Sequence, residues 1–105
     1  MIIKNVWYEF DEWEREFDIY NETSIVHFDT EDGSRWCAEF YTYQYLLTLS
    51  EKNKKTGELL EGQYFYGDKP IFISKLDKEL IKTVIIDILD NNKAFLDDVF
   101  TRVNA

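Results

Sequence analysis

The chain has 105 residues, enough for one domain with its own core and no room for a second. Lys and Arg number 12 against 21 Asp and Glu, and the net charge of −9 excludes direct binding to nucleic acid or an anionic lipid surface. Aromatic residues at 17% exclude a disordered acidic tail, and the single cysteine, Cys37, excludes an internal disulfide.

The first residues, Met1 to Glu9, hold no basic stretch followed by an apolar run, so they do not read as a signal peptide. The apolar runs are far too short to span a bilayer. The expectation is a single domain over 1–105, soluble and cytoplasmic, without contact to a membrane.

In chain order, Val6 to Phe10 leaves room for a short leading strand. From Glu12 to Tyr20 the chain alternates, with Trp13, Phe17 and Ile19 on one side and Glu14, Glu16, Asp18 and Tyr20 on the other. That period of two predicts a half-buried strand. Ser24 to Thr30 and Arg35 to Thr42 alternate as well. Between them, Glu31-Asp32-Gly33 suits a three-residue hairpin loop with Gly33 in the left-handed position. Phe28 then faces Trp36, Val26 faces Ala38, and Asp29 meets Arg35 as an opposite-charge pair. A two-residue turn would set Phe28 against Cys37 and leave one apolar face in water. Upstream, a tight turn at Asn21-Glu22 would put Phe17 beside Val26 and Glu16 beside His27.

Thr42 is placed to cap a helix that runs through Leu46, Leu47 and Leu49 to a stop at Gly57, with Lys52, Lys54 and Lys55 at its cation-favouring end. Gln63–Tyr66 and Ile71–Ile73 read as a second hairpin around Gly67-Asp68-Lys69-Pro70. Asp77 caps the clearest helix, whose stripe Leu80, Ile81, Val84, Ile85, Ile88, Leu89 ends at Asn91-Asn92, with Leu76 and Ile81 as a hydrophobic staple. Leu96, Val99, Phe100 and Val103 suit a short closing helix. The expected fold is α+β: a mostly antiparallel sheet, made of the N-terminal meander plus the later hairpin, with two or three helices packed on one face and the other face open.

Carried across three meander strands, the register gives outer-face rows: Glu14 with Asp29 and Arg35, Glu16 with His27 and Cys37, Asp18 with Ile25 and Glu39. Tyr20 and Tyr41 lie toward one end. The row Glu16–His27–Cys37 has the residue types of an acid, a base and a nucleophile. No strained turn, helix N-terminus or oxyanion donor is visible near Cys37, and one His with one Cys is too few ligands for zinc. Nucleotide-binding, zinc-protease and hydrolase motifs are absent, and the oxygen-rich stretches fail the EF-hand spacing. No catalytic residue, metal or cofactor is therefore expected, and the chain does not read as an enzyme. Carboxylates set among tyrosines have the composition of a surface that binds a basic protein. Its candidate contacts are Glu14, Glu16, Asp18, Tyr20, Asp29, Glu39 and Tyr41.

Phe40-Tyr41-Thr42, the stretch Thr56-Gly57-Glu58-Leu59-Leu60-Glu61-Gly62-Gln63-Tyr64-Phe65-Tyr66, and Ile71-Phe72-Ile73 resemble a group of small uncharacterised bacterial proteins of Gram-positive type. Some of that group resemble immunity proteins of toxin–immunity pairs. The resemblance covers roughly Gly33 to Asn91. It implies an inhibitor that docks on a basic toxin or nuclease, which fits an acidic, aromatic surface without catalytic groups. The alternatives are a structural or regulatory domain and an acidic mimic of nucleic acid. The chain is expected to be a monomer or a homodimer, any dimer forming through a sheet edge or the tyrosines at Tyr64–Tyr66.

Overall fold

The structure is a computed structural model that describes residues 2–91 and 96–104. Its centre is the hairpin of β2 (Thr23–Thr30) and β3 (Arg35–Thr42), joined through Glu31–Ser34. The pairing is Val26 with Ala38, Phe28 with Trp36 and Asp29 with Arg35, as the alternation and turn chemistry predict. Gly33 takes φ +87°, open to glycine at little cost. Asp32 locks the loop by accepting from the Thr30 hydroxyl at 2.7 Å and from the Ser34 amide at 3.0 Å. Those two bonds favour the carboxylate form and hold the Asp32 pKa below its usual value.

The third meander strand is not the expected one. β1 (Ile3–Tyr8) pairs antiparallel with β2, so Trp7, not Glu16, lies beside His27, and Tyr8, not Phe17, lies beside Val26. Glu12–Tyr20 forms no strand. Charge gives the reason. The expected register sets Glu14 against Asp29, two like charges face to face. β1 instead offers Asn5, whose amide reaches Asp29 at 3.4 Å, and Trp7, on which the Arg35 guanidinium stacks at 4.6 Å.

Thr42 caps α1 (Tyr43–Thr56): its hydroxyl accepts from the Tyr45 amide at 3.2 Å and also from the Glu22 amide at 3.1 Å. Gly57 ends the helix with φ +83°. The next element, α2 (Glu58–Gly62), is a left-handed turn, with φ +48°, +51° and +57° at Leu59, Leu60 and Glu61. Each such residue costs about 1–2 kcal/mol.

The second expected hairpin does not form. Gln63–Tyr66 forms no strand with any described residue, and β4 (Pro70–Ile73) joins β3 in parallel. The α1 crossover brings the chain back in the same direction, which a tight hairpin cannot do. Pro70, lacking an amide hydrogen, sits at the first position of its strand.

α3 (Lys78–Asn91) starts at Asp77, whose carboxylate accepts from the Leu80 amide at 2.9 Å. Both staple residues, Leu76 and Ile81, are buried. Asn92, the expected stop, lies outside the described residues. The closing helix is a single turn, α4 (Leu96–Val99), after which β5 (Thr101–Arg102) pairs with β3. Val103 is accordingly exposed, because its amide donates to the Arg35 carbonyl at 2.9 Å. Ladder pairing overrides the apolar spacing there.

The fold is α+β, with a mostly antiparallel sheet of order β1-β2-β3-β4 and β5 on β3. Val26, Phe28, Trp36, Ala38 and Phe40 on the inner face pack with Ile81, Ile85 and Phe100. α1 adds none of its side chains to that core and extends beyond the end of β3, so the molecule measures 46 × 30 × 25 Å. The Trp36 indole N–H is buried without a hydrogen-bond partner among the described residues. No helix among the described residues is long and apolar enough to cross a membrane.

Candidate functional site

The segment from Glu9 to Glu22 carries seven carboxylates (Glu9, Asp11, Glu12, Glu14, Glu16, Asp18 and Glu22) and one base, Arg15. It opens with a 3₁₀ turn over Glu9–Glu12, then runs without regular pairing to β2. Three aromatic anchors hold it. Phe10 is buried, Trp13 and Phe17 pack against the core, and the Trp13 and Phe17 rings meet edge to face at 5.1 Å. Arg15 stacks on Trp13 at 4.3 Å and pairs with Glu22 at 3.0 Å. The Ile19 carbonyl accepts from the Leu76 amide at 2.7 Å, and Asp18 accepts from the Tyr20 amide at 2.9 Å. The alternation seen in the sequence is thus real, but side chains take the place of a ladder.

This anchoring turns the even-numbered carboxylates outward. Glu12, Glu14, Glu16 and Asp18 are exposed, as is Glu9; Asp11 pairs with Lys78 at 2.6 Å. Beside them Tyr20 is 54% and Ile19 37% exposed. Carboxylates and apolar surface therefore lie together on a backbone held at both ends.

Glu14, Glu16, Asp18 and Tyr20 all belong to this segment. Asp29, Glu39 and Tyr41 lie instead on the outer face of the sheet. The seven expected contacts fall into two groups on different elements, because β1 occupies the position assigned to Glu12–Tyr20. The observed rows are Asn5–Asp29–Arg35 and Trp7–His27–Cys37–Thr101, with Ile25 paired to Glu39. That face is less acidic than expected. Asp29 is bound by Arg35 at 2.9 Å, and this hydrogen bond is the main reason its pKa falls below the usual value. Tyr41 contacts Tyr45 and Phe65 at ring separations of 5.9 and 5.3 Å. Burial, then Glu39, push its pKa up to about 12.

The acid–base–nucleophile row loses its acid, since Trp7 stands where Glu16 was expected. Burial, with Glu39 and Glu9 nearby, raises the Cys37 pKa, which favours the thiol over the nucleophilic thiolate. Among the described residues no group of three or more His, Cys, Asp or Glu is arranged to hold a metal.

Two residues stand out that the sequence reading missed. Trp7 is 44% exposed under the Arg35 guanidinium; its parity, shared with the outward side of the sheet once β1 is recognised, is the signal. Asn53 is buried on α1, and nothing in its sequence neighbourhood marks it. No protein-family model, curated protein or solved structure matches the chain.

Proposed function

We propose that this chain is a small acidic protein-binding domain, an immunity-type inhibitor that docks on a basic protein such as a toxin or nuclease. The carrying observation is the anchored Glu9–Glu22 segment. It holds exposed carboxylates next to Tyr20 and Ile19 on a backbone fixed by Phe10, Trp13 and Phe17. Such a surface attracts a cationic partner over a distance, and its fixed backbone reduces the ordering cost of docking. The displaced Glu16 and the raised Cys37 pKa speak against reading Glu16, His27 and Cys37 as an acid, a base and a nucleophile.

The test is kinetic. The purified chain is used to capture a partner from host lysate, and the partner is then purified for association measurements. The triple variant Glu12→Lys/Glu14→Lys/Glu16→Lys should slow association about tenfold or more and flatten its salt dependence. Its melting temperature should stay near wild type, because all three side chains are exposed. Glu58→Lys, just past the C-terminal end of α1, is the control. A partner that associates with the triple variant at the wild-type rate would refute this docking surface.

A further inference from the structure

A cleft of about 260 Å³ lies between α1, the left-handed turn and β4. Its walls are Leu46, Leu49, Tyr64, Phe65 and Phe72, with Ser50 and Gly62 at the junction. No charged side chain among the described residues lines it. The junction is fixed by direct backbone contact: a Cβ on Gly62 would fall 2.2 Å from the Ser50 carbonyl oxygen, and the Ser50 hydroxyl donates to the Gly62 carbonyl at 2.7 Å. Three successive non-glycine residues in left-handed conformation, Leu59 to Glu61, bring the chain to that contact. Strain of this kind persists where surrounding structure holds it, and it gathers at binding sites.

Asn53 also lines this cleft. Its residue is 94% buried (6% exposed), and its carboxamide makes no hydrogen bond with any described residue. A carboxamide presents two N–H donors and an acceptor oxygen. None of its polar atoms is both fully buried and unpaired, so the carboxamide keeps its donors and acceptor open to whatever occupies the cleft. A partner that enters from the cleft satisfies them.

We propose that the cleft binds a small, neutral, planar aromatic molecule with a hydrogen-bond donor and acceptor adjacent on one edge, an aromatic carboxamide or a purine-like base, with the Asn53 carboxamide pairing to that edge. The apolar walls take the ring, and the absence of lining charge selects against ionic ligands. The volume, at the small end for ligand pockets, suits one or two fused rings. This site is separate from the acidic segment and does not depend on the protein-binding reading.

The test is a ¹H–¹⁵N NMR titration of the full chain with benzamide and, in a second arm, adenine. Saturable shifts are expected at the amides of Ser50, Asn53, Gly62 and Phe65 at up to about 5 mM ligand, the range for a molecule of this size. The arm that saturates identifies the ligand class. N,N-Dimethylbenzamide, which keeps the ring and loses the donors, should bind about tenfold more weakly, the loss of a paired edge. Asn53→Leu should lose binding by a similar factor while its melting temperature stays near wild type, whereas a purely structural Asn53 would give a less stable variant. Phe72→Ala, at an exposed wall position, should weaken binding of both ligands and serves if Asn53→Leu does not fold. Absence of saturable shifts with either ligand, or equal binding by Asn53→Leu, would overturn the proposal.

Discussion

The β2–β3 hairpin and the Glu9–Glu22 segment are built from the same pattern and end as different structures. Both alternate apolar and polar residues. The hairpin satisfies its backbone with a ladder, while the acidic segment is held by Phe10, Trp13, Phe17 and a few backbone bonds at its ends. Alternation therefore specifies an extended chain with two faces, not a paired one. Pairing depends on what stands opposite. Arg35 and Trp36 give β3 partners of the right charge and shape for Asp29 and Phe28. Glu14 and Glu16 offer β2 only more negative charge, and the shorter, uncharged-to-basic β1 takes the place. The consequence is functional: a laddered strand buries its backbone groups and shares its side chains with neighbours, whereas the anchored segment leaves its carboxylates to the solvent.

The largest effect expected from this difference is in the core. Phe28→Ala should cost about 3–5 kcal/mol, because Phe28 is fully buried and meets Phe100 edge to face at 5.0 Å. Phe17→Ala, which removes a half-buried anchor, should cost only about 1–2 kcal/mol. Urea denaturation of both variants measures the two values. Equal losses would mean that the acidic segment is as integral to the core as the hairpin, and the contrast would fail. A smaller effect is expected at the turn. Gly33→Ala should cost about 1 kcal/mol from its positive φ alone, since no described residue lies within 4 Å of the added Cβ. A neutral result in the same denaturation experiment would show that the turn relaxes and that the matched apolar faces alone fix the register.

The elements legible in the sequence are those determined locally. The β2–β3 register follows from one turn and two apolar faces that agree. The ends of α1 follow from Thr42 and Gly57, and α3 follows from Asp77 and an uninterrupted stripe. What escaped was settled by competition between distant segments. β1 against Glu12–Tyr20 is such a case; the parallel β3–β4 pair, made through a long crossover, is another. Val103 follows a strand instead of lying in a helix, its amide held by the Arg35 carbonyl. The candidate contacts show the same division. Asp29 and Glu39 lie where the hairpin register puts them, while Glu14, Glu16 and Asp18 moved with their segment. Asn53 was invisible, since a single polar residue on a lysine-rich helix carries no periodic signal, and the left-handed run at Leu59–Glu61 breaks local preference outright.

Tyr41 joins the two regions and carries the smallest of the expected effects. It stands on β3 opposite Thr23, where the acidic segment ends, and its ring contacts Tyr45, whose own pKa is raised by burial and then by Glu22. Burial first, and the Glu39 carboxylate second, lift the Tyr41 phenol from 10.0 to about 12. The neutral phenol is the form that folding favours. Its contribution to stability is complete below pH 10.0 and is lost as pH rises toward about 12. Ultraviolet titration of tyrosinate, taken as the difference between wild type and Tyr41→Phe, should show this one phenol ionising late. Glu39→Gln should bring the difference curve to lower pH, though not to the ordinary value, because burial is the larger cause and remains. A curve that does not move in Glu39→Gln would leave burial as the whole cause and remove Glu39 from the electrostatics of the outer face. A full return to 10.0 would instead make charge the dominant cause, and the outer face would then be more open to water around Tyr41 than its contacts with Tyr45 and Phe65 imply.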